Sequence, residues 1–262
     1  MTQVGERRHL YVKTLAVLGH LPDPVGEEGD TSQVESGNDR RPFALILLGD
    51  YPDSRLLIEL SSYGSDLAEA RHALDLAIRG AQEGSALADA ARHLVGLAVV
   101  AYCRTVMHSN VRGRLIDHIA VPDEFMDVHE RVRSYRNATV AHSQSELAVT
   151  YAIGVLDSDT LRVRDVASAT VLVPFPDHAV REFKALIDVM ERRLDEAIEP
   201  VRARLMRRLT EMGREQLEAA PQPDIHEKWA SEFTARTKRS QYPTGHTVYW
   251  DSDARGTGAT PR

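Results

Sequence analysis

Apolar positions along this 262-residue chain change their period twice, and the changes divide it into segments. Residues 1–42 form an N-terminal segment. Its stretch 21–42, opening Leu-Pro-Asp-Pro and continuing with Gly, Glu, Asp, Ser and Asn, has no apolar period and reads as a flexible linker. Phe43 to Leu48 is a continuous apolar run closed by Gly49-Asp50 and Pro52, which suits a short buried strand. A helical period follows. Ser65 or Asp66 can cap a helix carrying Leu67, Ala70, Leu74, Ala77 and Ile78 on one face, with Gly80 ending it. A second helix is expected from near Ser85 to Met107, with Leu87, Ala90, Ala91, Leu94, Leu97, Ala98 and Ala101 at three- and four-residue steps. A third begins at Pro122, a favoured first helical position, and presents Phe125, Met126, Val128, His129 and Val132.

The period then shortens to two. Leu147, Val149, Tyr151, Ile153 and Val155 alternate with smaller or more polar residues. Asp157-Ser158-Asp159 marks a turn, and further strand signals run through Val163 to Val173. The insert at 147–173 predicts an antiparallel meander of two or three strands, ended by Pro174 and Pro176. From Asp177 the helical period returns through Val180, Phe183, Leu186, Ile187, Met190, Leu194 and Ile198, and Pro200 is expected to kink or restart that helix. Residues 221–262, with Pro, Thr, Gly, Ser and scattered aromatics, are expected to be poorly ordered in isolation. The reading is a mainly α fold: a helical bundle over 43–220 with a small antiparallel β insert and flexible termini.

Composition narrows the function classes. With 42% hydrophobic and 27% charged residues, the chain can bury an ordinary core. Its net charge of −7 argues against general nucleic-acid binding, so any RNA contact must come from a local basic patch. The single cysteine, Cys103, excludes an intramolecular disulfide and sits in an apolar run. No cysteine–histidine spacing suggests zinc, and no carboxylate cluster suggests another metal. Arg7, Arg8 and the apolar stretch Leu10 to Leu18 mimic a signal peptide, but Lys13 and Thr14 break it and no cleavage site follows. No run approaches the ~18 apolar residues of a membrane span. The expected location is the cytoplasm, without a membrane partner.

The chemistry concentrates in Arg136-Asn137-Ala138-Thr139-Val140-Ala141-His142, an R-N-x-x-x-A-H stretch. It joins a permanent cation with a planar fork of donors, an amide, and an imidazole that can exchange a proton near neutrality. Each has a role in handling a phosphodiester. On a straight helix the six-residue step from Arg136 to His142 is roughly 600° of rotation and about 9 Å of rise, leaving the two side chains ~120° apart. They converge if the helix ends or bends near Thr139-Val140, where β-branched residues favour an end, or if a second subunit completes the site.

Two helices, a polar turn, a third helix ending in this stretch and a further long helix resemble the HEPN superfamily, over about residues 65–215. Val100-Ala101-Tyr102-Cys103-Arg104, His129, Arg136 and Ala141-His142-Ser143 also resemble a group of uncharacterised bacterial and phage proteins, in which Lys is usual where this chain has Ala138. The resemblance implies a helical bundle acting as a homodimer, with two motifs facing one cleft. It implies a metal-independent endoribonuclease without cofactor, of toxin or phage-defence type, in which the ribose 2′-OH attacks the adjacent phosphate and leaves a cyclic phosphate. His142 would transfer the proton, Arg136 stabilise the anionic transition state and Asn137 orient either group. Arg104 and His129 are the candidate substrate-binding residues, and a protein antitoxin is a candidate partner.

Each residue also has a plain structural reading. Arg136 can pair with Glu124, Asp127 or Glu130. His142 can close a helix terminus. Arg104 can be a buried ion-pair partner, and His129 a core histidine. Arg202 to Arg208 can be a solvated helix face. The alternative to a ribonuclease is a non-catalytic HEPN-like dimerisation or partner-binding protein. A nucleotide-binding regulator is less supported, since Gly49 after an apolar run falls far short of a phosphate loop.

Overall fold

The computed structural model describes residues 44–109, 112–140, 146–234, 240 and 242–250. The chain divides into two compact units, 1–45 and 46–262. Of the first, only Ala44 and Leu45 are described, and both lack regular structure; the linker reading for 21–42 lies outside the described residues. The second unit is mainly α with a small antiparallel two-stranded sheet, and it adds a short parallel pair near its end.

Helix α1 spans Pro52–Gly80 and starts thirteen residues before the Ser65 cap that the apolar period suggests. Pro52 takes the first helical position, where its missing N–H costs nothing, and Asp53 lies in the favourable first turn. Asp66, a candidate cap in the sequence, instead lies mid-helix and binds two arginines. Gly80 is required by a close approach: a Cβ there would meet the Ala91 Cβ and the Leu87 carbonyl oxygen, each at 2.9 Å. Helix α2 spans Ala91–Val106, while residues 85–90 form turns before it. Its end is buried on nearly every side, through Ala98, Val99, Ala101, Tyr102, Cys103, Thr105 and Val106.

Short 3₁₀ turns at Leu115–Asp117 and Asp123–Phe125 lead into α3, Met126–Tyr135, which continues as a π-helical turn over Arg136–Val140. Strands β1 (Ala148–Leu156) and β2 (Val163–Leu172) form an antiparallel hairpin, matching the two-strand form of the predicted meander. Helix α4 runs unbroken from Asp177 to Thr210, with Pro200 inside it. The helix continues through Pro200 because its ends are anchored: Phe183, Leu186, Ile187, Met190 and Leu194 are buried before it, and Val201 and Leu205 after it.

A short α5, Arg214–Glu218, precedes β3 (Asp224–Trp229), which pairs in parallel with β4 (Gly245–Trp250). The composition of residues 221–250 gives no sign of this pairing. Upstream, residues 44–49 are irregular rather than a strand; Leu47 N–H donates to the Pro221 carbonyl at 2.7 Å, and the Tyr242 hydroxyl donates to the Leu48 carbonyl at 2.6 Å. No helix among the described residues is long and apolar enough to cross a membrane.

Helix α1 packs along α2 on one side and α4 on the other, and α3 closes the group against α2 and α4. Tyr63, Leu67, Leu74, Tyr102, Val132, Phe183, Ile187 and Met190 are fully buried at the centre. Each large side chain removed from water there contributes ~1.5–3 kcal/mol. Arg131 of α3 ties to Glu182 of α4 at 2.6 Å, and Arg193 of α4 donates to the Ala120 carbonyl at 2.9 Å, so the segment leading to Arg136 is fixed at both ends.

Candidate functional site

Tyr102 points from α2 into the core, where its hydroxyl lies 2.6 Å from Nδ1 of His129 on α3. The Tyr102 ring is edge-on to both His129 and Phe183. Burial is the largest influence on His129 and lowers its pKa; nearby Glu130 opposes this and Arg133 adds to it. Burial likewise pushes the Tyr102 phenol up, so it stays a donor. A neutral ring accepting at Nδ1 keeps its proton on Nε2, which lies 3.9 Å from the Glu130 carboxylate. His129 is thus a satisfied core group that ties α3 to α2.

Arg104 leaves α2 on the side facing α1. Its Nε donates to Asp66 at 3.0 Å, and its Nη2 binds both Asp66 and Glu69. Arg112 joins the same Asp66 carboxylate, donates to the Ser62 hydroxyl at 2.7 Å, and lies 4.6 Å over the Tyr63 ring. Of the two uses open to Arg104 in the sequence, it has the ion pair, but on an exposed rather than a buried side chain.

Arg136 differs. The α3 helix delivers it at the point where the turn widens to the i→i+5 pattern. Tyr135, edge-on to Phe175 at 4.9 Å between ring centroids, anchors that end of the helix. The Arg136 side chain is half-buried, and Nη1 donates to the Asn137 side-chain oxygen at 3.1 Å. None of the carboxylates expected to neutralise it does so: Glu130 binds Arg133 at 2.8 Å, and among the described residues Arg136 has no ion-pair partner. Every other arginine from 104 to 133 binds a carboxylate: Arg104 and Arg112 through Asp66, Arg114 through Asp117, Arg131 through Glu182 and Arg133 through Glu130.

Polar groups lie close to Arg136 in sequence or through charge. The Cys103 thiol on α2 is pushed up to about 11 by burial, partly offset by the positive charges of Arg136 and Arg133. Arg133 Nε and Thr139 Oγ1 are buried and lack a hydrogen-bond partner among the described residues. Sequence reasoning missed Arg133, Thr139 and Cys103 as neighbours of the motif. Spacing could have found Arg133, which sits one turn before Arg136 and on the same face.

The structure therefore brings Arg136, Asn137, Arg133, Thr139 and Cys103 together. Arg104 is engaged with α1, and His129 lies in the core. His142 lies outside the described residues. A cavity of about 750 Å³ between the end of α1, the start of α2 and the β2–α4 junction contains none of these residues. No family model, curated protein or solved structure matches this chain.

Proposed function

We propose that this chain is a metal-independent endoribonuclease of HEPN type, with Arg136, Asn137 and His142 as its catalytic residues. The observation that carries the proposal is Arg136: a half-exposed guanidinium on a widened turn, oriented by Asn137 and, among the described residues, without the carboxylate that each preceding arginine back to Arg104 possesses. An arginine without a carboxylate among the described residues favours an external anion, and its planar fork suits a phosphate. The π turn falls on Arg136–Val140, where a straight helix would leave the motif's side chains divergent, and such turns recur at functional sites.

In this reading the ribose 2′-OH attacks phosphorus and gives its proton to a base. The P–O5′ bond breaks, and the products are a 2′,3′-cyclic phosphate and a 5′-OH end. His142 handles the proton, Arg136 stabilises the charge on the non-bridging oxygens, and Asn137 holds the guanidinium in line. Acid–base help and electrostatic stabilisation each typically contribute ~10²–10⁴ in rate. The reading includes a homodimer with two motifs at one cleft, RNA as substrate, and a protein antitoxin as a further partner.

The test is RNA cleavage by the purified chain in EDTA, scored for cyclic-phosphate ends. Arg136→Ala and His142→Ala are expected to lose at least ~10² in rate with unchanged circular dichroism. Uncut RNA, or variants that cut like the wild type, would overturn the proposal. The alternative, a non-catalytic dimerisation or partner-binding protein, is favoured by one observation: the exposed apolar hairpin β1–β2.

A further inference from the structure

Among the described elements, the β1–β2 hairpin stands out as exposed on both strands. Every β1 residue from Thr150 to Leu156 is exposed, Tyr151 at 53% and Ile153 at 41%. Val149, Tyr151, Ile153 and Val155 share one face with Val171, Ala169, Ala167 and, opposite Val155, Asp165. An isolated two-stranded hairpin is marginal in water, and this one carries an apolar face that the helices leave uncovered.

Its two edges differ. The β2 edge carries Arg164 and Asp165 and lies opposite a register shift at Val155–Leu156, features that discourage further pairing. The β1 edge, nine residues from Ala148 to Leu156, holds no charge and no proline. Which backbone groups face outward follows from the register. Val173 N–H donates to the Leu147 carbonyl at 2.7 Å, so Leu147 and Val173 are a hydrogen-bonded pair. Alternation then directs Val149, Tyr151 and Ile153 toward β2 and turns the N–H and C=O groups of Ala148, Thr150, Ala152 and Gly154 to the free edge. The Thr150 and Thr170 hydroxyls, 3.0 Å apart, agree, since side chains are closest in the non-hydrogen-bonded pairs.

We propose that the β1 edge is a dimerisation surface whose occupant is β1 of a second copy of this chain, paired antiparallel about a two-fold axis at Ala152. The sequence of β1 is self-complementary about that point. Ala152 faces its own copy, with its N–H and C=O already directed outward. Tyr151 then lies opposite Ile153, Val149 opposite Val155, Thr150 opposite Gly154 and Ala148 opposite Leu156. Aromatic against β-branched and β-branched against β-branched are favourable cross-strand pairs, and no like charges meet. The product is a four-stranded sheet, β2-β1-β1-β2, with one largely apolar face bounded at two corners by Asp165 of each β2.

The size is adequate. Thr150, Ala152 and Gly154 of the two strands supply about six backbone hydrogen bonds, and at about one bond per 100–200 Å² the interface falls near 600–1,200 Å² in total, reaching the low end of the range of specific dimers. The interface does not depend on the ribonuclease reading: a β1 dimer that leaves RNA uncut removes that reading and keeps this one.

The full-length chain is expected to run in light scattering at about twice its 29.2 kDa. Ala152→Pro removes an outward N–H that no β2 partner uses, so it should give a monomer with unchanged circular dichroism; Thr150→Pro repeats the block at the next outward position. The paired Cα atoms at the dyad lie ~5.5 Å apart in such a register, within disulfide reach. Ala152→Cys should therefore crosslink under mild oxidation at least ~10-fold faster than Asp159→Cys at the hairpin tip, the buried native Cys103 remaining inert. A monomeric wild type at 100 μM, a dimer that survives both prolines, or equal crosslinking at the two cysteines would overturn the proposal.

Discussion

His129 is held as a neutral ring in the core, bonded to Tyr102, and that fixes a pH response. Burial depresses its pKa in the folded state, so the unfolded chain binds a proton first as the pH falls. Stability is therefore full above the ordinary histidine value of ~6.5 and declines below it, with a slope of at most ~1.4 kcal/mol per pH unit, until the folded-state pKa is passed. Urea midpoints between pH 5 and 8 should show this decline, and His129→Asn, which keeps an acceptor but cannot titrate there, should flatten it. Tyr102→Phe leaves that Nδ1 buried without a partner and should cost about 1–3 kcal/mol at pH 7.5. The residues best understood here were also those the sequence left ambiguous. Arg104 finds Asp66 and Glu69 some 38 and 35 residues upstream, and His129 finds Tyr102 27 residues away. Pairings at such separations come from helix packing and leave no local mark.

At the scale of elements, periodicity carried the helices well and their ends poorly. The stripe from Leu67 to Ile78 is the core face of α1, yet Pro52 reads equally as a strand stop and a helix start; in the fold it opens α1, and Asp53 beside it reaches Arg204 of α4 at 2.7 Å. Pro200 reads as a breaker because local rules see its missing N–H and miss the buried residues that clamp α4 on both sides. Pro200 is exposed, so Pro200→Ala restores a backbone hydrogen bond without disturbing packing. It should raise stability by about 1–3 kcal/mol, less a few tenths for the freer unfolded chain, read from the shift in urea midpoint. The motif was legible as a set of residue types. The spacing allowed either a bend near Thr139-Val140 or a second subunit to complete the site; a π turn covers Arg136–Val140, but which arginines would be neutralised depended on the fold.

For the whole molecule, charge distribution sets the manner of any RNA contact. The chain carries a net charge of −7, and of the α4 arginines Arg202 binds Glu199, Arg204 binds Asp53, Arg193 binds the Ala120 carbonyl and Arg208 lies over the Tyr51 ring, while Arg181, Arg192 and Arg207 are exposed. In the proposed reading, phosphate contact centres on Arg136, since Arg133 is paired with Glu130. Binding to a labelled single-stranded RNA should weaken with salt at a log–log slope of about −1 to −2, as expected for one or two neutralised phosphates. A slope steeper than about −4 would point to a broad basic surface and would count against a small local site.

The Cys103 thiol gives the molecule a built-in clock. It is 3% exposed and its ionisation is pushed up to about 11, so alkylating reagents cannot reach a reactive thiolate while α2 and the turn at Arg136–Val140 stay together. Its labelling rate, divided by the rate in urea-unfolded chain, measures the fraction of time this seam is open. An RNA ligand seated on Arg136 would slow that labelling, and the size of the slowing would give the ligand's preference for the closed form without any cleavage being followed.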